Sequence, residues 1–448
     1  MILEKESIGI LRDALNKLDE GFDFLPAIED KTDLGRLAAV LSEVSGKMRD
    51  NYPYFHPLYA GQMLKPPHPI ARLAYMLALW INPNNHALDG GRASSAMEQE
   101  AVSEIAGMFG WDTYLGHLTG GGTLANLEAL WIAGKLHPDK IIIASDQAHS
   151  THQRINEVLK IPFRQILSDS NARMDLNALE KILRTGNVGT VVATLGTTGT
   201  GSVDRLNAIL ALQKKYNFRI HVDAAYGGYF TLADNLGAEA RAAFDALPGV
   251  DSIVVDPHKH GLQPYGAGCI LFKDPAVGKY YKHDSPYTYF SSQDLHLGEI
   301  SLECSRAGAS AVALWATQKL LPLIRGGEFA KGLESGRTAA RELYQRLRKD
   351  SRFRTIIEPE LDIVIWGLAD DKPDKISSKS QQFFDQAAKN NLHLALLQLP
   401  ATIWHQAWPA LTYTTEKITV LRSCLMKPEH LDWIDEIWKI IDQTASSI

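Results

Sequence analysis

The chain predicts an α/β fold in which a mostly parallel central sheet carries helices on both faces and a smaller α+β unit follows. Between about residue 96 and residue 275, short apolar, β-branched runs alternate with helical stretches, the pattern of a parallel sheet covered on both sides. Those runs end in glycine, hydroxyl and charged residues, and open sheets of this kind gather their chemistry beyond the carboxyl ends of the strands. After Ile324-Arg325-Gly326-Gly327 the pattern changes to one long amphipathic helix followed by mixed elements, which marks a second unit. At 448 residues there is room for two or three units. We divide the chain into an N-terminal helical segment (1–95), a large domain (96–325) and a small C-terminal domain (326–448).

The N-terminal segment reads as helices broken by Tyr52-Pro53-Tyr54-Phe55-His56-Pro57 and Lys65-Pro66-Pro67-His68-Pro69, since proline cannot continue a helix. Tyr52, Tyr54, Phe55, Tyr59 and Met63 give this stretch apolar area that favours burial, unlike a Gly/Ser linker. It is either a substrate-pocket wall, with Tyr59 as a contact, or a connection packed on its own domain. The strands expected in the large domain are Tyr114–Leu118, Ile141–Ser145, Thr190–Leu195, Arg219–Val222, Ser252–Val255 and Cys269–Phe272, the last at or near an edge. In the small domain we expect a helix over Glu328–Arg348, apolar stretches at Thr355–Ile357 and Leu361–Trp366, and a helix from about Ser377 to Asn391. A strand at Ile418–Leu425 and a terminal helix from about Glu429 complete it.

Composition narrows the function classes. Hydrophobic content of 45%, charged content of 22% and a net charge of −6 describe an ordinary globular protein and argue against a nucleic-acid partner. Cys269, Cys304 and Cys424 are far apart, which suits neither a disulfide framework nor a metal site and fits a reducing compartment. The opening residues carry no basic-then-apolar segment, and no run approaches the ~18 apolar residues of a membrane span. A cytoplasmic location without membrane partners is the expectation.

Two residues carry the chemical reading. Lys259, in Val254-Val255-Asp256-Pro257-His258-Lys259, lies just beyond an apolar strand, and Asp223 ends another, Ile220-His221-Val222-Asp223. A desolvated lysine amine condenses with an aldehyde, and a carboxylate facing a pyridine nitrogen keeps it protonated, so that the ring accepts electrons. These are the needs of pyridoxal 5′-phosphate at its two ends. Alone, Lys259 reads as a surface lysine and Asp223 as a turn cap; their neighbours change that. Thr119-Gly120-Gly121-Gly122-Thr123 opens a helical stretch whose backbone N–H groups suit a phosphate, with Gly122 and Thr123 as the contacts. The same turn also serves as a tight structural turn, but no acidic strand end ~20 residues on supports a dinucleotide site. His149, after the strand ending at Ser145, is placed to stack on an aromatic ring or to serve as a structural histidine. Gly196-Thr197-Thr198-Gly199 offers the Thr198 hydroxyl, and small Ala225 leaves room for a flat ring.

The blocks Ser145-Asp-Gln-Ala-His149, Ala193-Thr-Leu-Gly-Thr-Thr198, His221-Val-Asp223-Ala-Ala225 and Pro257-His258-Lys259 stand in one order over most of the chain. Together they resemble the group II pyridoxal-phosphate-dependent amino acid decarboxylases of fold-type I. The resemblance implies that Lys259 forms the Schiff base, His149 stacks on the ring, Asp223 pairs with its nitrogen, and Ala225 supports the other face. It also implies that Thr198 lies near the ring substituents and His258 in the cofactor site. A homodimer with shared active sites is implied, the N-terminal segment packing at its interface. A loop over 280–298 would carry a proton-donating tyrosine, Tyr287, with Tyr289 as runner-up. Pro264-Tyr265-Gly266-Ala267-Gly268 and Ser305–Trp315 look like bacterial tyrosine decarboxylases, which favours an aromatic, tyrosine-like substrate. Arg422 matches a position that holds a substrate carboxylate in glutamate decarboxylases, and equally suits a structural ion pair. Two departures stand out. Asp256 replaces an asparagine found in many relatives and would repel a phosphate unless countered, so it is not assigned as a ligand. The glycine run also replaces a serine-containing turn. Glutamate or another amino acid as substrate, retro-aldol cleavage of the sphingosine-phosphate lyase kind, and a catalytically silent scaffold are the alternatives.

Overall fold

The computed structural model describes residues 5–29, 31–88, 90–282, 301–412 and 415–448. Its large sheet is built from β1 (Leu115–Thr119), β2 (Ile141–Ser145), β3 (Phe163–Ile166), β4 (Val188–Thr194), β5 (Arg219–Asp223), β6 (Ser252–Val255) and β7 (Gly268–Phe272). Their spatial order is β1-β7-β6-β5-β4-β2-β3. Only β7 runs antiparallel to its neighbours, β1 and β6, and it sits one strand in from the edge.

Side-chain alternation along the central strands explains why both faces are covered. On β6, Ile253 and Val255 join Val191, Ala193, Ile220 and Val222 in a core shared with Leu206, Ile209 and Phe244, while Val254 points the other way. There it meets Ala125, Ala129 and Ile132 of the helix Gly122–Leu136. A strand apolar at every position must bury both faces, and period-two geometry divides its residues between two helical layers.

The small sheet contains β8 (Phe353–Thr355), β9 (Ile363–Leu368), β10 (Ala395–Pro400) and β11 (Lys417–Cys424), in the order β10-β11-β9-β8, with all pairs antiparallel. Leu343 and Leu347 of the helix Glu328–Lys349, Phe383 of Pro373–Lys389, and Ile437 and Ile441 of Ile434–Ser446 pack with Trp366 and Leu421. Two elements here go beyond the sequence reading, β10 and the helix Ala401–Ala407 that follows it. The terminal α-helix begins at Ile434 rather than near Glu429. Pro428–His430 forms a 3₁₀ turn instead, closed by the Lys427 N–H donating to His430 Nδ1 at 3.1 Å.

The N-terminal segment forms the helices Lys5–Glu20, Leu34–Met48 and Pro69–Leu79. Leu34–Met48 buries no residue, and Leu34, Leu37, Val40, Leu41, Val44 and Met48 are all exposed. Among the described residues no helix is long and apolar enough to cross a membrane.

Candidate active site

β1, β5 and β6 end on one side of a cavity of about 500 Å³, a volume suited to a small-molecule site. Gly122, Thr123, His149, Thr198, Asp223, Ala225, His258 and Lys259 all line it, so strand ends far apart in sequence meet there.

Lys259 lies in the turn after β6, with its Nζ 3.0 Å from Asp256 Oδ2. His258 Nε2 approaches the same oxygen at 3.5 Å, and His258 Nδ1 lies 2.7 Å from the Ala267 carbonyl oxygen. Asp256 is only 2% exposed, and a buried carboxylate is tolerated where a cation faces it. The carboxylate nevertheless stays beside the glycine turn. A Cβ added at Gly122 would lie 2.6 Å from Asp256 Oδ2, so only glycine lets the helix start approach this closely. Gly121, with φ of +147°, has a backbone shape that side chains disfavour. The turn offers its donors to an anion: the Gly120 N–H donates to Glu303 Oε2 at 2.7 Å. Thr123 Oγ1 lies 3.5 Å from Thr151 Oγ1, which ties this helix to the next.

Asp223 closes β5 and is 5% exposed. The Ala225 N–H donates to its Oδ1 at 3.1 Å, and His152 Nε2 lies 2.8 Å from its Oδ2. Burial alone would raise its pKa, but the His152 bond, the Lys259 charge and the Ala225 N–H outweigh that and hold it below the usual carboxylate range. Asp223 is therefore held as a buried anion at the cavity wall. His149 precedes the helix Thr151–Leu159, and its Nδ1 accepts the Thr151 N–H at 3.2 Å, which leaves the proton of the neutral ring on Nε2. Burial is the chief cause lowering its pKa; Asp223 opposes this and Lys259 adds to it.

Beneath the glycine turn runs a buried relay that the sequence reading did not identify. Asn126 Nδ2 donates to the Gly122 carbonyl at 2.8 Å, and its Oδ1 lies 2.9 Å from His221 Nε2. Burial pushes the His221 pKa down to about 3, so the ring is neutral. His152 and Glu303 were also missed. His152 falls three residues after His149, a helical spacing that was the available signal; Glu303 had none.

Arg422 and Tyr59 lie outside the lining of this cavity. Arg422 sits behind it, donating to the Thr198 carbonyl at 3.1 Å and to Gln62 Oε1 at 2.9 Å, with its Nε buried and unbonded. Tyr59 is buried, its hydroxyl accepting the Gln62 N–H at 3.2 Å and its ring packed on Tyr54 at 4.9 Å. Tyr287 and Tyr289 fall outside the described residues.

Pyridoxal phosphate fits these groups. The cavity joins a helix N-terminus built of glycine, an anion with unused acceptor capacity at Asp223 and a lysine amine, while buried Thr194 Oγ1 and Asp256 Oδ1 have no protein partner. The Asp256 carboxylate near the turn is the one group that opposes a phosphate.

Residues 130–369 match the pyridoxal-dependent decarboxylase conserved domain. The chain is 28% identical over 472 residues to an L-tyrosine decarboxylase of Levilactobacillus brevis, covering 80% of this chain and 75% of that protein. It is 31% identical over 334 residues to an L-aspartate decarboxylase of Thermococcus kodakarensis, covering 73% of this chain and 84% of that protein. Among solved structures, it resembles the Oryza sativa TDC crystal structure with PLP and tryptamine, with a TM-score of 0.79 and 17% identity over 100% of this chain and 99% of that one. A match over more than half of the sequence, on a fold that gathers a lysine and a buried acid in one cavity, places the chain in the pyridoxal-dependent decarboxylase family, as a pyridoxal-phosphate-dependent amino acid carboxy-lyase.

Proposed function

We propose that this carboxy-lyase acts on an aromatic, tyrosine-like L-amino acid, releasing the amine and carbon dioxide, with Lys259 as the cofactor-bearing lysine. The observation that carries the site assignment is the meeting of Lys259, His149 and Asp223 in one cavity. The aromatic substrate is supported by the likeness to L-tyrosine decarboxylases and by charge: the described residues lining the cavity include Asp223, Asp256 and Glu303 but no arginine. A second carboxylate on the substrate would meet repulsion there. Aspartate is the second reading, favoured by the L-aspartate decarboxylase relative.

Pyridoxal phosphate held here would supply an aldehyde for the substrate amine and a sink for the electron pair left by departing carbon dioxide. Asp223, kept ionised by its partners, would hold a proton on the ring nitrogen. Gly122 and Thr123 would hold the phosphate at the helix N-terminus, and His149 and Ala225 would bound the ring on its two faces. Thr198 would lie near the ring substituents, and His258 holds Asp256 from the side. Asp256 stands where it can take a proton from the Lys259 amine. Tyr287 is our choice for protonating the substrate carbon; Arg422, bonded to the Thr198 carbonyl, and Tyr59 stay outside the cavity lining and would act on substrate choice only through the residues they hold.

We further infer a homodimer with shared sites, located in the cytoplasm, in which residues 1–95 pack at the interface, 96–325 form the cofactor domain and 326–448 the small domain. The exposed apolar side of Leu34–Met48 supports this, since a helix with this much exposed apolar surface is expected to have a partner. Measuring carbon dioxide release from each of twenty amino acids tests the function. Tyrosine should give the highest rate; aspartate or glutamate as the best substrate would overturn the aromatic reading, and an aldehyde product would indicate retro-aldol cleavage instead.

A further inference from the structure

We propose that His152 is a positioning residue for the reaction, holding Asp223 ionised and aimed at the ring nitrogen; this rests on the reading that Asp223 pairs with that nitrogen.

His152 and Asp223 are both buried, His152 at 1% exposure, and His152 Nε2 lies 2.8 Å from Asp223 Oδ2. The geometry leaves Asp223 one orientation. Its Oδ1 is tied to the Ala225 N–H on its own strand end and its Oδ2 to His152 on a neighbouring helix, so two elements fix the plane of the carboxylate. The lone pairs left over are the acceptors available to the cavity that Asp223 lines.

The other ring nitrogen makes no competing bond. His152 Nδ1 is buried with no hydrogen-bond partner, so the ring is anchored through Nε2 alone, where an N–H donates to the Asp223 carboxylate. The backbone supports the placement: the His152 N–H bonds the His149 carbonyl at 3.1 Å, and Asn156 Nδ2 donates to the His152 carbonyl at 2.8 Å.

The test uses His152→Leu, which keeps bulk and loses the donor, and His152→Gln, which restores an N–H donor at similar reach. The purified proteins are titrated with pyridoxal phosphate, the absorption spectrum of the bound cofactor is recorded, and kcat and KM are measured separately. His152→Leu should lower kcat by about 10- to 100-fold with KM little changed, weaken cofactor binding several-fold and shift the absorption maximum, as loss of a hydrogen bond that orients a key ligand does elsewhere. His152→Gln should recover most of each effect. Equal behaviour of His152→Gln and His152→Leu, or wild-type spectrum and kcat in His152→Leu, overturns the proposal and reduces His152 to core packing. If His152→Leu does not fold, His152→Gln against His152→Phe makes the same comparison. Asp223→Asn separates the two layers: wild-type cofactor affinity and spectrum in that variant would sink the reading of Asp223 itself, whereas collapse there beside an unaffected His152→Leu would sink only the role of His152.

Discussion

Lys259 Nζ and Asp256 Oδ2 form a 3.0 Å ion pair within one turn, and the carboxylate of that pair also borders the glycine turn at Gly122. One buried anion thus faces both the amine we assign to the cofactor linkage and the cradle assigned to its phosphate.

Replacing Lys259 with alanine should abolish turnover and remove the cofactor linkage that borohydride reduces to a stable adduct. Mass spectrometry of the reduced protein checks this. An adduct that persists at full yield in Lys259→Ala would assign the linkage to another amine.

Asp256→Asn should tighten cofactor binding, because it removes a negative charge beside the phosphate cradle while keeping a polar side chain against Gly122. At a partly screened site the gain is on the order of 1 kcal/mol, or about fivefold in dissociation constant. Titration of the cofactor-free protein measures it. A tenfold weakening would mean instead that the carboxylate chiefly steadies Lys259.

Acid should destabilise the fold in part through His430. Burial pushes its pKa down to about 3, far below the usual value, so between about pH 6.5 and pH 3 the unfolded chain binds a proton that the folded chain refuses. Stability therefore falls as pH drops through that window, by up to about 1.4 kcal/mol per pH unit for this group. His430→Asn, which can still accept the Lys427 N–H without titrating, should flatten the slope of denaturant stability between pH 7 and pH 5. An unchanged slope would show that His430 does not take part.

Leu37 and Leu41 are 45% and 58% exposed on a helix that buries nothing, and we predict that together they face a second copy of the chain. The double substitution Leu37→Glu, Leu41→Glu should convert the dimer to monomer in sedimentation velocity and lower activity at least tenfold, as expected for sites shared between subunits. A monomeric wild-type protein with full activity would remove the basis for this prediction.

The central strands were legible in the sequence because Val191 and Val192 in β4, Ile220 and Val222 in β5, and Ile253 to Val255 in β6 are apolar and β-branched, and the residues just after them were legible because parallel sheets place their chemistry there. β3 escaped notice because Phe163-Arg164-Gln165-Ile166 is short and half polar, as an edge strand can be. β10 escaped because Pro400 ends it and the next helix begins at once, without an intervening loop. His152, Asn126 and Glu303 belong to contacts between segments 71, 95 and 183 residues apart in sequence, and no local pattern encodes such meetings.

His149, just before the helix Thr151–Leu159, and His152, in its first turn, are tied together by the His152 N–H donating to the His149 carbonyl at 3.1 Å. A one-residue insertion between them would break this tie and, since each residue turns a helix by about 100°, move one ring relative to the other. The two histidines can therefore be inherited, or transplanted into another scaffold, only as a cassette of fixed length: a lineage that drifts in this short segment must keep its spacing even where it changes its letters.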